Sequence, residues 1–191
     1  MKTIVWDIDD VLNDLTRIWL EKGWRPGQPG CLLHYDNLTE NPPHRLLGVE
    51  KAEYLRSLDR FRLSADADGM TPDADVINWF QSYGVRFRHV ALTARPRQTV
   101  SPAIAWVLRH FGEWFQTFSF VPAERPGEPP GHPDVRKADF LSWLGKTDYF
   151  IDDSAANIDD AKKLGIQTFM VAQPWNAGGM TLPDILKLLA P

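Results

Sequence analysis

The chain of 191 residues is long enough to bury a self-sufficient core, as one domain or as one domain carrying a modest insertion. Its 43% hydrophobic and 24% charged residues exclude a mainly disordered, collagen-like or disulfide-framework protein, and a single cysteine, Cys31, leaves no intrachain disulfide to form. A formal charge of −4 argues against a long footprint on nucleic-acid phosphates, and neither a signal peptide nor a membrane span is legible, so a cytoplasmic, reducing setting is expected.

In chain order, the apolar residues 4–6 read as a buried strand that runs into Asp7, Asp9 and Asp10. Residues 14–70 then hold an expected helix over 14–21, a stretch containing Pro and Gly, and a second helix near 50–60. They read as a small helical cap inserted into a core made of residues 1–13 and 71–191. Beyond them, strands and helices alternate. Thr71 can cap a helix with Pro72 at its first position and Asp73 and Asp75 in its first turn, while Val76, Phe80 and Tyr83 share a face before Gly84. Residues 88–92 read as a strand. Ser101 and Pro102 open a helix whose Ile104, Val107, Leu108 and Phe111 follow i, i+3, i+4, i+7 spacing up to Gly112.

A strand at 118–121 is followed by residues 122–133, whose five Pro and two Gly predict a mobile or partly extended loop. Asp134 can cap a helix ending near Gly145, residues 149–151 form a short strand, Ser154 can cap a helix ending at Gly165, and 168–171 supply a last strand. About five buried strands separated by helices predict a parallel sheet covered on both faces, an α/β Rossmann-like core.

The polar residues that carry chemistry follow strands: Asp7 and Asp9 the first, Thr93 the second, Asp152 and Asp153 the strand at 149–151. In open parallel sheets the carboxyl ends of strands line the ligand crevice, so these residues are expected to converge, although Asp and Thr also serve as plain caps at such turns. Four carboxylates in one crevice repel one another, and a divalent cation offsets that repulsion. Oxygen ligands without His or Cys point to Mg²⁺ over Zn²⁺. The five histidines, His34, His44, His89, His110 and His132, have no metal-ligand spacing, and no Ser, His and Asp triad is evident.

Four segments carry a resemblance to a known family. IVWDIDDVLND, HVALTARP, DVRKADFL and YFIDDSAANIDDAKKLGI resemble, in order, the four motifs of the haloacid dehalogenase superfamily, covering residues 1–13 and about 71–175. The resemblance implies a phosphatase in which Asp7 attacks phosphorus to give an aspartyl-phosphate, and Asp9 protonates the leaving oxygen and then activates water. An Asp at position 9 favours phosphoryl transfer over the dehalogenase branch, since carbon–halogen cleavage leaves no alkoxide to protonate. Thr93, Ala94, Arg95 and Lys137 are the implied substrate contacts, with Arg136 a rival to Lys137. Mg²⁺ is implied at Asp7, the Asp9 backbone carbonyl and Asp153, with Asp152 and Asn157 placed to hold ligands or waters. Asp10 stands where the family commonly has Gly, and Val11 where it commonly has Thr.

The branch most similar is that of the 5′(3′)-deoxyribonucleotidases, through the DxDxV start with Asp14, the LTARP segment, IDD near the end, and PWN at 174–176. It implies a nucleoside monophosphate as substrate, with a sugar phosphate or another small phosphomonoester as the alternative and a non-catalytic phospho-ligand or partner-binding module as a reading of another class. Trp19, Trp24, Tyr35, Tyr54 and Phe61 either offer a base-stacking surface or pack the cap's own core.

Overall fold

The computed structural model describes residues 1–123, 125 and 133–190. Five parallel strands form one sheet: β1 (Lys2–Trp6), β2 (Phe87–Arg95), β3 (Phe115–Pro122), β4 (Tyr149–Asp152) and β5 (Gln167–Met170), in the order β3-β2-β1-β4-β5. Successive strand residues face opposite sides of a sheet, and both sides here are apolar. Ile4, Trp6, Ala91 and Ile151 join one core cluster, while Val5, Val90, Leu92 and Phe150 join the other. That double burial is why the strands read as continuous apolar runs rather than as alternating ones.

Eight α-helices are present among the described residues: α1 (Leu15–Ile18), α2 (Lys51–Arg62), α3 (Ala65–Asp68), α4 (Ala74–Tyr83), α5 (Val100–Phe111), α6 (Lys137–Leu144), α7 (Ala155–Lys163) and α8 (Leu182–Leu189). Helices α4, α5 and α8 supply Val76, Trp79, Phe80, Trp106, Phe111 and Ile185 to the first cluster. Helices α6 and α7 cover the other face with Phe140, Leu141 and Ile158. None of these helices is long and apolar enough to cross a membrane.

Several helix starts differ from the sequence expectation. The helix expected from Thr71 begins at Ala74, because the Asp73 carboxylate accepts the Asp75 N–H at 2.7 Å and takes the cap role. The one expected at Ser101 begins at Val100, after a 3-10 turn at Arg97–Thr99; Pro102 falls in the first turn, where a missing N–H has no partner to lose. The helix expected from Asp134 begins at Lys137. There the Asp139 carboxylate accepts the N–H groups of Val135 at 3.1 Å and Arg136 at 2.8 Å, closing the turn two residues later. Helix α8 was not foreseen, although Thr181, whose hydroxyl accepts the Asp184 N–H, and Pro183 in its first turn mark its start. Most of the Pro-rich stretch 122–133, with its expected loop, lies outside the described residues, as does His132.

Residues 15–70 bury a cluster of their own. The helix expected over 14–21 runs through α1 into a π-helical turn, Trp19–Trp24, and Trp19, Leu20, Trp24, Tyr35, Tyr54, Leu58 and Phe61 pack together. Gly23 lies against Phe61 so closely that a Cβ there would meet its ring at 2.9 Å. The five aromatic residues that could have offered a stacking face are all buried, from 0% exposed for Trp19 to 7% for Tyr35, so in this arrangement they pack the segment's core. Cys31 is half-buried beside them.

The buried His89 is accounted for by packing. Its Nδ1 accepts the Trp6 indole N–H at 3.0 Å, which leaves Nε2 to donate to the Gly84 carbonyl at 2.9 Å, and burial lowers its pKa to about 4. Around it, the Phe80 ring lies 4.8 Å from His89, 5.0 Å from Phe111 and 5.3 Å from Trp6, centroid to centroid. Phe80→Ala is expected to cost about 3–5 kcal/mol in chemical denaturation, and a loss under about 1 kcal/mol would contradict the weight given to this ring cluster.

Candidate active site

Strand order reverses at β1: β2 and β3 lie to one side of it, β4 and β5 to the other. The carboxyl ends of β1 and β4 therefore flank the sheet's switch point, where open α/β sheets bind ligands. Asp7 directly follows β1, its N–H donating to Ile151 of β4 at 2.9 Å, and Asp152 and Asp153 sit at the end of β4. Carboxylate oxygens of these three acids lie within 4.8 Å of one another, and the residues are 7%, 0% and 7% exposed.

Lys137, the first residue of α6, reaches between them. Its ammonium lies 2.8 Å from Asp7 and 2.7 Å from Asp152. Arg136 points elsewhere, to exposed ion pairs with Asp139 and Asp160, so of the two rivals it is Lys137 that enters the site. Asp152 is further fixed by the Ser154 N–H at 2.8 Å and by the Asn157 amide, 3.2 Å from each oxygen. Asp153 accepts the Trp175 indole N–H at 2.9 Å, and its backbone carbonyl accepts from the Asn176 amide. The PWN segment is thus a clamp on Asp153. Next to it, Gln173 donates to the Asp10 carbonyl at 2.6 Å and accepts from the Tyr35 hydroxyl, tying residues 15–70 to the same loop.

Asp10 adopts φ 60°, the left-handed region that favours glycine, which explains a glycine at this turn elsewhere. Asp is among the few other residues that tolerate it, and here its carboxylate is held by the Thr16 N–H at 2.8 Å and the Thr16 hydroxyl. Val11 is buried in the core. Asp14 is exposed and makes no side-chain cap bond.

Asp9 does not join the three-acid cluster. Arg95 takes one of its oxygens at 2.6 Å and Arg62, from the last turn of α2, takes the other at 3.0 Å. Thr93 and Arg95 lie at the end of β2 rather than beyond it, both buried; Thr93 accepts from Arg95 Nε at 3.1 Å, while Ala94 between them is exposed. Arg95 also donates to the Thr99 carbonyl at 3.1 Å. Arg62 reaches Asp59 at 3.1 Å, and Arg125 pairs with the same acid at 2.6 Å. Arg62, Asp59 and Trp175 as individual site residues escaped the sequence reading. The one available signal was a charged i, i+3 pair, Asp59 and Arg62, flanking the buried Leu58 and Phe61.

Burial pushes the Asp7 carboxyl up to about 7 against the pull of Lys137, with Asp152 and Asp9 adding to the rise. Burial likewise raises Asp10 to about 7 and raises Asp153, to which the neighbouring Asp152 contributes. For Lys137 burial works downward, but Asp152 and Asp7 outweigh it and raise the group above its ordinary value. For Asp9 burial works upward, and Arg95 and Arg62 nevertheless hold it below the usual carboxylate value. Three buried acids, Asp7, Asp152 and Asp153, thus face one ammonium. An all-oxygen donor set with this excess negative charge fits a hard divalent cation.

No protein-family model matches the sequence, and no curated protein matches it. Solved structures do. A haloacid dehalogenase-like family hydrolase from Streptococcus pneumoniae superposes with a TM-score of 0.66 at 13% identity, over 98% of this chain and 91% of that one. A putative β-phosphoglucomutase from Thermotoga maritima gives 0.62 at 19% identity, over 99% and 98%. A putative phosphoglycolate phosphatase from Lactobacillus delbrueckii subsp. bulgaricus gives 0.58 at 14% identity, over 98% of each. The chain has the fold of the haloacid dehalogenase-like hydrolases.

A carboxyl whose folded pKa is raised favours the fold below its ordinary value of 3.8, and loses that contribution as pH rises through the folded value, here about 7 for Asp7 and Asp10. His89 has the opposite slope below 6.5, but equally with and without a cation. A divalent cation acts on ionised acids, so any rise in melting temperature on adding Mg²⁺ is expected to be larger near about pH 8 than near about pH 5. Thermal scans at both pH values check this; no rise at either would contradict the acid cluster as a cation site.

Proposed function

We propose that the protein is a Mg²⁺-dependent phosphomonoester hydrolase working through an aspartyl-phosphate on Asp7. The observation that carries this reading is the buried Asp7 carboxylate at the end of β1, paired with Lys137 at 2.8 Å and flanked by Asp152 and Asp153. A binding module has no need of a desolvated carboxylate beside a fixed ammonium and a cation-fitting acid cluster.

In the first step an Asp7 oxygen attacks phosphorus and the bond from phosphorus to the leaving oxygen breaks, and Asp9, having taken up a proton from solvent once an arginine releases it, passes that proton to the leaving oxygen. In the second, Asp9 takes a proton from water, which attacks phosphorus and releases phosphate from Asp7. Lys137 holds Asp7 in place and balances charge on the phosphoryl oxygens, and Thr93 donates its hydroxyl to them. Asp7, the Asp9 carbonyl and Asp153, with Asp152 and Asn157 behind them, would hold Mg²⁺, which would supply the charge cancellation that lets one anion approach another. Residues 14–70 act as the cap that closes the site to water. Free Cys31 suits a cytoplasmic enzyme.

The sequence resemblance favours a nucleoside monophosphate as substrate. A sugar phosphate or other small phosphomonoester is the second reading. It is favoured by the burial of Trp19, Trp24, Tyr35, Tyr54 and Phe61, which leaves a base no stacking face from those residues in this arrangement. Two of the similar structures, titled as a β-phosphoglucomutase and a phosphoglycolate phosphatase, are of that kind.

Asp7→Asn is expected to lower phosphate release by on the order of 10³-fold or more with the fold intact, and retained turnover would sink the covalent mechanism. Asp9→Asn is expected to lose about 10²–10⁴-fold on alkyl phosphates and much less on an activated aryl phosphate, whose leaving group needs no proton. Equal losses on both would remove Asp9 from the acid role.

A further inference from the structure

The acid role given to Asp9 meets an obstacle: neither carboxylate oxygen is available. Arg95 and Arg62 hold one each, at 2.6 and 3.0 Å. A leaving oxygen cannot reach Asp9 until one guanidinium withdraws. Arg95 is the fixed partner, since it belongs to the central strand β2 and is also tied to the Thr93 hydroxyl and the Thr99 carbonyl. Arg62 is the one that can leave. It stands in the last turn of α2, in the segment proposed as the cap, and its other ion pair, to Asp59, is within the same helix and travels with it, while the pair from Asp59 to Arg125 must part.

Arg62 also has unused capacity. Its side chain is 9% exposed, yet its Nε has no hydrogen-bond partner among the described residues. A buried guanidinium donor left unpaired is costly, and an anion arriving there gains a charge-assisted bond while relieving that cost. Together with Asp9 and Arg95, Arg62 lines a cavity of about 30 Å³ between residues 15–70 and the sheet, room for about one water. For a leaving group to reach Asp9 the cap segment must therefore move, and Arg62 moves with it.

Resting on the phosphohydrolase reading, we infer that Arg62 is the recognition site for a second anionic group, a carboxylate or phosphate, on the leaving part of the substrate. By drawing Arg62 off Asp9, that group exposes the acid only when the right substrate is present. Phosphomonoesters with a charged leaving group are then the preferred class, and those with a neutral leaving group must displace Arg62 unaided.

Matched pairs test this. Glycerol 3-phosphate and 3-phosphoglycerate differ by a carboxylate, and a deoxynucleoside 5′-monophosphate and its 3′,5′-bisphosphate by a phosphate. The first pair reads a carboxylate source and the second a phosphate source. In the wild-type enzyme with Mg²⁺, kcat/KM is expected to favour the charged member of at least one pair by about tenfold to a hundredfold, the worth of a charge-assisted contact. In Arg62→Gln that ratio should collapse toward one, and Arg62→Lys, which keeps the charge without the fork, should recover part of it. Melting temperature reports whether each variant folds. Turnover of both members at equal rates, or a ratio equal in wild type and Arg62→Gln, overturns the Arg62 assignment and leaves the phosphatase reading standing. No turnover of any ester, an aryl phosphate included, overturns that reading and this inference with it.

Discussion

One buried ammonium holds the site together. Lys137 lies 2.8 Å from Asp7 and 2.7 Å from Asp152, so it stitches the ends of the central strands β1 and β4 across the switch point of the sheet. Its position as the first residue of α6 is locally unfavourable, because a helix N-terminus carries partial positive charge; two carboxylates within hydrogen-bond reach compensate. Breaking such a buried pair by removing one partner costs about 3–5 kcal/mol, because the remaining charge is left without water or counter-charge. One lysine offsets only part of the negative charge gathered there. The remainder adds to the burial that raises Asp7, Asp10 and Asp153, and it suits the cluster to a dication.

Topology explains why these groups meet. With β1 in the centre, residues on β2, β4 and the loop after β5 all reach its carboxyl end, so positions 7, 93, 95, 137, 153 and 175 converge although nearly the whole chain separates the first from the last. The same arrangement divides the charges into two groups. Asp7, Asp152 and Asp153 with Lys137 form the acidic side, and Asp9 with Arg95 and Arg62 forms the basic side, where residues 15–70 touch the sheet. A phosphomonoester bound between them would present its phosphoryl group to the first and its leaving group to the second.

The five strands were legible because burial on both faces of a parallel sheet makes each an unbroken apolar run, and the acids at their ends stood out against it. Helix starts were less so: Thr71 and Asp134 are good caps in isolation, but Asp73 takes the Asp75 N–H and Asp139 takes those of Val135 and Arg136, which moves both starts later. Strand β2 runs on to Arg95 because its backbone stays paired with β3 as far as Pro122, and Thr93 and Arg95 then meet inside the crevice, a contact no propensity encodes. The pairing of Arg62 with Asp9 joins residues 53 apart in sequence and depends wholly on how residues 15–70 fold back on the sheet. Asp9 itself was expected among the other acids, and its turn toward two arginines became visible only with that packing.

The proposed mechanism requires that Asp7 become covalently phosphorylated. The most direct measurement is mass spectrometry of enzyme quenched in acid during turnover of an aryl phosphate with Mg²⁺, followed by peptide mapping. A phosphoryl adduct on the peptide carrying Asp7, removed by hydroxylamine as an acyl phosphate must be and absent from Asp7→Asn, is the predicted result. Steady turnover with no adduct at Asp7 under rapid quench, or an adduct on another residue, would contradict the account.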